Sequence, residues 1–201
     1  MLDSCIRINE LNYEERIISA IEKTKSLGLE LTVNPYPFKA ALSHEEKLKA
    51  LRLCVDLLYS KGFKSSSDLA SNCTPVHLMT QHLLKTEFNI DSFITIGDRY
   101  WDDYVYCEMS YEKIERELKS PDFNKPIKAH VWLTLSDGTI IDFTAEAHAD
   151  LLFQRGENPI ENCIMIVDID NEENDKSGYH RPYLLGVDFL QRVGVCKMSS
   201  E

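Results

Sequence analysis

Three residues of this chain have side-chain types that together could perform nucleophilic catalysis: a cysteine, a histidine and an aspartate. Cys73 opens the segment CTPVHLMTQHLL, whereas His130 and Asp142 lie twelve residues apart within HVWLTLSDGTIIDFT. A thiolate is a strong nucleophile, an imidazole can take up and return its proton, and a carboxylate can fix the orientation of the imidazole. Brought together by the fold, the three would support acyl transfer through a thioester on Cys73.

The segment 128–148 is predicted to form a β-hairpin, and its apolar pattern selects the register. A two-residue loop would place Asp142 on the apolar face. A three-residue loop that ends with Gly138 in the left-handed position of a type I turn instead pairs Leu133 with Ile141. A one-residue slip in register would move every side chain to the opposite face of the hairpin. Burial of each apolar side chain stabilises the fold by roughly 1.5 to 3 kcal/mol, so the register with the three-residue loop is expected.

In that register the second face of the hairpin carries the residues that could do chemistry. Asp142 lies across from Trp132 and diagonally from His130, at about 7 Å between backbones, a gap that two side chains can span. The indole of Trp132 would shield a hydrogen bond between His130 and Asp142 from water. The spacing therefore predicts that His130 and Asp142 form a hydrogen-bonded pair.

The elements that must position these residues run from helices to antiparallel strands. Apolar spacing predicts a helix that ends at Gly28, and a capping box at Ser43 starts a second helix. Pro75 in a first turn predicts a third helix from about Cys73, whose helix N-terminus favours the thiolate. The strands SFITIGD and RYWDDYVYCEM come next, and we expect them to pair with each other. They are followed by a short helix capped by Ser110, the hairpin, a short helix AEAHADLL and the strand NCIMIVDI. This order predicts an α+β fold rather than alternating βαβ units.

The order of these parts resembles the transglutaminase-like branch of the papain-like cysteine enzymes, a superfamily that also holds the arylamine N-acetyltransferases. The resemblance covers about residues 64 to 145, with SNCTPVHLMTQHLL as the cysteine helix, FITIGD as the next strand, HVWLTL as the histidine strand and IIDFT as the aspartate strand. It implies a papain-like or transglutaminase-like core, in which a cysteine-bearing helix packs on an antiparallel sheet. It also implies Cys73 as nucleophile, His130 as general base and then acid, and Asp142 as the orienting group. Family members often have a small residue beside the cysteine, whereas Asn72 precedes it here.

An oxyanion needs two hydrogen-bond donors, and the sequence suggests one of them. The backbone N–H of Cys73 is expected to be available, since the first N–H groups of a helix have no partner within it. The candidates for the second donor or for the wall of the cleft are polar or aromatic residues that the predicted fold brings near the triad: Asn72, Ser67, Trp101, Trp132 and His77.

A metal site is the weaker interpretation of the same region. Cys73 and His77 share a helix face, but no further ligands follow at a recognisable spacing, and the chain has no CxxC pair. The run DIDNEENDKSG begins like a calcium loop, with Asp168, Asp170 and Glu172 at alternate positions, but it lacks the glycine required at the sixth position. We therefore expect neither a metal nor a cofactor.

The composition indicates one domain of 201 residues, with N-terminal helices over 1–62 and the core over 63–201. The 22 basic and 33 acidic residues give a net charge of −11, which repels nucleic acid and anionic membrane surfaces. The start of the chain resembles no signal peptide and no segment is long enough to span a membrane, so a soluble, cytoplasmic protein is expected. The six cysteines are far apart, so thiols rather than disulfides are expected.

The sequence leaves the reaction and the substrate open. The same triad makes and breaks amides, esters and thioesters, so the acyl substrate is a small molecule, a peptide or a protein, and the outcome is hydrolysis or transfer to an amine. The alternative is a member of the same fold that does not use the chemistry and serves as a binding or scaffolding module.

Overall fold

The computed structural model describes residues 11–31, 35–101, 104–169 and 178–196. The α-helices are α1 (Tyr13–Ser26), α2 (His44–Ser60), α3 (Ser66–Leu69), α4 (Cys73–Phe88), α5 (Tyr111–Lys119), α6 (Ala145–Leu152) and α7 (Asp188–Arg192), and a 3-10 helix spans Ile160–Cys163. The strands are β1 (Ser92–Trp101), β2 (Tyr104–Tyr106), β3 (His130–Leu135), β4 (Ile140–Asp142), β5 (Met165–Val167) and β6 (Tyr179–Leu185). The predicted α+β class with antiparallel strands is confirmed.

The contacts of the chain group it into two compact units. The described residues of the first unit are 11–31, 95–101, 104–130 and 178–196, and those of the second are 35–94 and 131–169. The boundaries fall inside β1 and β3, so each of these strands contributes residues to both units. His130 is the last residue of its segment in the first unit, whereas the rest of β3 belongs to the second.

The first unit is built around β1, which pairs antiparallel with β2 and with β6. Helix α1 begins at a capping box, in which the side chain of Asn12 accepts from the Glu15 N–H and the Glu15 carboxylate accepts from the Asn12 N–H. The buried face of α1, which includes Ile17 and Ala20, packs against β6. Helix and strands thus share one apolar core.

One predicted strand boundary is wrong. The sequence pattern predicts two strands, SFITIGD and RYWDDYVYCEM, that separate after Asp98, whereas β1 continues to Trp101 and β2 begins at Tyr104. Asp98 makes no turn, because its buried carboxylate faces the guanidinium of Arg181 on the neighbouring strand. The two segments do pair, through Trp101 with Tyr104 among others.

The second unit contains the hairpin from Val131 onward, and the predicted register of the hairpin is confirmed. Leu133 pairs with Ile141, and Gly138 has a positive φ of 85°. The Gly138 N–H donates to the Leu135 carbonyl at 2.9 Å and the Leu135 N–H donates to the Thr139 carbonyl at 2.8 Å, which is the pattern of a type I turn followed by a glycine bulge. Strand β5 then pairs with β4. Every residue of β3 and β4 is buried, so neither face of the hairpin is a solvated surface.

The tip of the hairpin is held by a buried lysine. The Nζ atom of Lys47 in α2 lies 2.6 Å from an Asp168 carboxylate oxygen and 3.3 Å from an Asp137 carboxylate oxygen, and it donates to the Thr139 hydroxyl at 2.8 Å. Burial alone would raise the pKa of Asp137, but backbone N–H donors and Lys47 hold that pKa below its usual value. Asp168, the first residue of the calcium-like run, is therefore paired with a lysine.

Two sequence predictions fall partly outside the described residues. Asp170 and Glu172 of the calcium-like run lie there, as does Cys5. The five cysteines within the described ranges form no disulfide. Among the described residues, no helix has both the length and the apolar character that a membrane crossing requires.

Candidate functional site

Cys73 is the first residue of α4, as the sequence predicted. Asn72 is the residue before the helix, and its side chain does not cap the helix but donates from Nδ2 to the Asp68 carbonyl at 2.8 Å. The apolar side of α4, with Val76 and Leu84 fully buried, fixes the helix in the second unit. Cys73 is partly exposed and lies at the N-terminus of α4.

A buried histidine links the first turn of α4 to the strand that carries Asp142. The Nδ1 atom of His77 lies 2.7 Å from the carbonyl oxygen of Cys73. Its Nε2 atom accepts the backbone N–H of Phe143 at 3.1 Å, and the ring of Phe143 packs beside the imidazole at 5.6 Å between centroids. Cys73 and the end of β4 are therefore held by the two nitrogens of one side chain.

These two contacts determine the state of the His77 ring. A carbonyl oxygen only accepts, so Nδ1 carries the hydrogen, and a backbone N–H only donates, so Nε2 is the acceptor. The imidazole is neutral, and its 3.8 Å approach to the carboxylate of Asp142 is not an ion pair. Because both nitrogens are engaged, His77 in this arrangement can serve neither as a general base nor as a metal ligand.

Asp142 ends β4 and caps the helix that follows. Its Oδ1 atom accepts the backbone N–H groups of Thr144 at 2.9 Å and Ala145 at 3.0 Å, and the Thr144 hydroxyl at 3.3 Å. The side chain is fully buried. Donors directed at a carboxylate favour its charged form, and the start of α6 adds the positive end of a helix dipole.

His130 belongs to the first unit and is surrounded by rings. Its imidazole lies 5.1 Å from the ring of Tyr106 and 6.4 Å from the ring of His180, between centroids. Trp101 continues this cluster, since its indole packs against Tyr106 at 6.1 Å and lies under the guanidinium of Arg99 at 4.9 Å. Nothing in the sequence singles out Tyr106. The segment YHRPYLLG, which contains His180, is a candidate for the wall of a cleft because its two tyrosines, histidine and arginine lie close together.

The structure thus places the predicted site residues in two groups. Cys73, His77, Asp142 and Trp132 lie in the second unit, and His130 and Trp101 lie in the first. Trp132 is fully buried, and its shielding of a hydrogen bond between His130 and Asp142 stays a prediction. The association of His130 with Cys73 and Asp142 stays a prediction.

Two candidates for the second oxyanion donor have other hydrogen-bond partners. One donor of the Asn72 amide goes to Asp68, as described above. The hydroxyl of Ser67 donates to the carboxylate of Glu157 at 2.5 Å. The backbone N–H of Cys73 as the first oxyanion donor stays a prediction.

Three cysteines among the described residues have thiols that burial keeps protonated. Burial raises the pKa of Cys54 to about 12 and that of Cys163 to about 11, and it also raises the pKa of Cys196. A thiol with a raised pKa is almost wholly protonated at neutral pH and is a poor nucleophile. Cys54 and Cys163 are therefore structural residues of the core.

Comparisons with known proteins give no relative for this chain. No protein-family model matches it, and no significant match was found among curated proteins or among solved structures.

Proposed function

We propose that the protein is a cysteine-dependent acyl-transfer enzyme that acts through a thioester on Cys73. The observation that carries the proposal is the His77 bridge, which holds the first turn of the cysteine helix beside the strand end that bears Asp142. A nucleophile at a helix N-terminus and a buried carboxylate are thereby fixed in one unit. His130 is the base of the proposed triad, and Asp142 orients it.

The state of the His77 ring excludes that histidine as the base. His77 has no nitrogen available for proton transfer, because one donates to a carbonyl and the other accepts a backbone N–H. Since Oδ1 of Asp142 is occupied by three donors, the proposal assigns the other carboxylate oxygen, Oδ2, to His130.

The proposed reaction has two steps, acylation of Cys73 and transfer of the acyl group to water or an amine. The Cys73 thiol gives its proton to His130 while its sulfur attacks the acyl carbonyl, and the resulting oxyanion is bound by the Cys73 backbone N–H. The carbon–leaving-group bond then breaks, and the leaving group takes the proton from His130. Water or an amine next attacks the thioester carbonyl and gives a proton to His130. The carbon–sulfur bond then breaks, which releases the acyl product, and the Cys73 sulfur takes the proton from His130.

Selective alkylation tests whether Cys73 is the activated thiol. Iodoacetamide at pH 6, followed by peptide mass spectrometry, compares Cys73 with Cys107 and Cys196, which are also partly exposed. We expect Cys73 to react about tenfold faster or more, because a thiolate is the reactive form. Equal rates for these thiols would rule out the proposed activation.

Two substitutions test the triad in the same assay. His130→Ala should slow alkylation of Cys73, and Asp142→Asn should slow it while keeping an oxygen that caps α6. The matched control is His82→Ala, which removes an exposed histidine from the same helix as Cys73. A rate that is the same in His130→Ala and in the wild type would exclude His130 as the base.

Formation of the thioester can be observed directly. Incubation with p-nitrophenyl acetate should release nitrophenolate in a burst and add one acetyl group, which peptide mapping locates on Cys73. Cys73→Ala should abolish both signals. Reaction with the same ester and a panel of amines then separates hydrolysis from transfer and begins to define whether the acyl substrate is a small molecule, a peptide or a protein.

A binding or scaffolding module without chemistry is the second candidate function. It is favoured by the complete burial of His130, whose relative exposure is 0%, because a base that turns over substrate must be reached by it. Failure of both the alkylation contrast and the acetyl-enzyme assay would establish this alternative over the enzyme.

A further inference from the structure

Two cross-strand neighbours in the first unit present rings on the same face of the sheet. Tyr106 in β2 and His180 in β6 are both paired with Arg99 in the middle strand β1. Residues paired across antiparallel strands project to the same face, so Tyr106 and His180 stand on either side of Arg99. Adjacent strands are about 4.8 Å apart, which puts roughly 10 Å between the backbones of Tyr106 and His180. This interval is wide enough for one additional ring.

The imidazole of His130 has the distances expected of that additional ring. It lies 5.1 Å from the Tyr106 ring at an interplanar angle of 56°, and 6.4 Å from the His180 ring at 26°. Tilted and offset rings at 4.5 to 7 Å attract one another. Both histidines are 0% exposed and Tyr106 is 7% exposed. We call the space bounded by Tyr106, Arg99 and His180 the ring slot.

The His180 side of the ring slot is fixed through its backbone. A guanidinium nitrogen of Arg16 in α1 donates to the His180 carbonyl at 3.0 Å. The next residue, Arg181, forms two buried hydrogen bonds with the carboxylate of Asp98, at 2.6 and 2.8 Å. The same carboxylate accepts the Met109 N–H at 2.9 Å. Strand β6 therefore has little freedom to shift at His180.

We propose that Tyr106 and His180 are positioning residues, which hold the His130 imidazole in one orientation. The catalytic consequence rests on the proposed function, in which His130 is the base. A catalytic group must be held within about 0.5 Å and 10–20° of its working geometry, and a displacement of about 1 Å can cost a hundredfold in rate. In this role Tyr106 and His180 act through His130 and do not contact substrate.

The test uses paired substitutions that keep or remove each ring in the full chain. Tyr106→Leu and His180→Leu remove a ring, whereas Tyr106→Phe and His180→Phe retain one. Tyr104→Leu is the matched control, because Tyr104 lies on the same strand as Tyr106 and is 40% exposed. Thermal unfolding verifies that each variant is folded. If a Tyr106 variant does not fold, His180→Leu and His180→Phe decide the test.

The direct readout is the Cε1–H signal of His130 in a proton–carbon NMR spectrum, assigned by its absence in His130→Gln. We expect this signal to shift in the two leucine variants and to stay near its wild-type position in the phenylalanine variants and in Tyr104→Leu. Alkylation of Cys73 should slow by about tenfold in the leucine variants and recover in the phenylalanine variants. An unmoved His130 signal in folded Tyr106→Leu and His180→Leu would overturn the ring slot.

The two readouts separate this inference from the proposed function. Shifted NMR signals together with normal alkylation in His130→Gln would refute the triad and leave the ring slot standing. Slow alkylation in His130→Gln together with unmoved NMR signals would refute the ring slot and leave the triad standing.

Discussion

His77 joins the backbone of Cys73 to the residue after Asp142. Its imidazole donates to the Cys73 carbonyl at 2.7 Å and accepts the Phe143 N–H at 3.1 Å, across 66 residues of sequence. The carbonyl of Cys73 belongs to the first turn of α4, and the Phe143 N–H follows the last residue of β4. One neutral, buried side chain thus sets the placement of Cys73 relative to Asp142.

Replacing His77 should destabilise the protein substantially. His77→Ala leaves the buried Phe143 N–H without its acceptor and opens a cavity, so we expect a loss of about 3 kcal/mol or more in the free energy of unfolding. Urea denaturation measures this loss. His82→Ala, an exposed change in the same helix, should stay within about 0.5 kcal/mol of the wild type. Similar losses for both variants would contradict the bridge.

Cys54 should make stability sensitive to alkaline pH. Burial raises its pKa from 9.0 to about 12, so the folded state keeps a proton that the unfolded state loses above pH 9. This contribution is fully present below pH 9 and is lost as pH rises from 9 through 12. Between pH 8 and pH 11 the wild type should lose on the order of 2 kcal/mol more than Cys54→Ala. Parallel stability curves for the two proteins would show that Cys54 does not contribute.

Gly138 is required by both its backbone conformation and its surroundings. Its φ is 85°, and a Cβ atom there would meet Ile169 Cδ1 at 2.5 Å and the Phe38 ring at 3.0 Å. We expect Gly138→Ala to cost about 1 to 3 kcal/mol in the free energy of unfolding. Gly62→Ala is the control, because its φ is also positive, at 92°, but a Cβ there meets nothing within 4 Å. Equal costs would mean that the close packing adds nothing to the backbone strain.

The buried Asp98–Arg181 pair should show strong coupling. Asp98→Leu leaves an uncompensated guanidinium in the core of the first unit, and we expect a loss of about 3 to 5 kcal/mol. Arg181→Met leaves a buried carboxylate and should cost a similar amount. The double substitution should lose less than the two single losses added together, because no unpaired charge remains. Additive losses in a denaturant double-mutant cycle would contradict this coupling.

Local sequence signals predicted much of the fold. The start of α2 was predictable because a capping box involves residues only three positions apart. The hairpin register was predictable because the alternation of apolar and polar residues and the position of Gly138 both indicate the same three-residue loop. Cys73 at the start of α4 followed from Pro75 in the first turn. Each of these features depends on neighbours a few positions away.

Contacts between distant segments could not be predicted in the same way. The sequence placed His77 on the helix face of Cys73 but contained no sign that its other nitrogen would meet Phe143. The alternation of β3 distinguished its two faces, yet both are covered. The ring slot required the pairing of β6 with β1, because only that pairing brings His180 level with Tyr106.

The hydrogen bonds of Asp142 have an electrical consequence. Its Oδ1 atom accepts from two backbone N–H groups and a hydroxyl at the start of α6, which neither gain nor lose a proton in the physiological pH range. Because the Asp142 side chain is fully buried, it is also beyond the reach of mobile counterions. An interaction made by the other oxygen of Asp142 should therefore keep its strength from dilute buffer to concentrated salt.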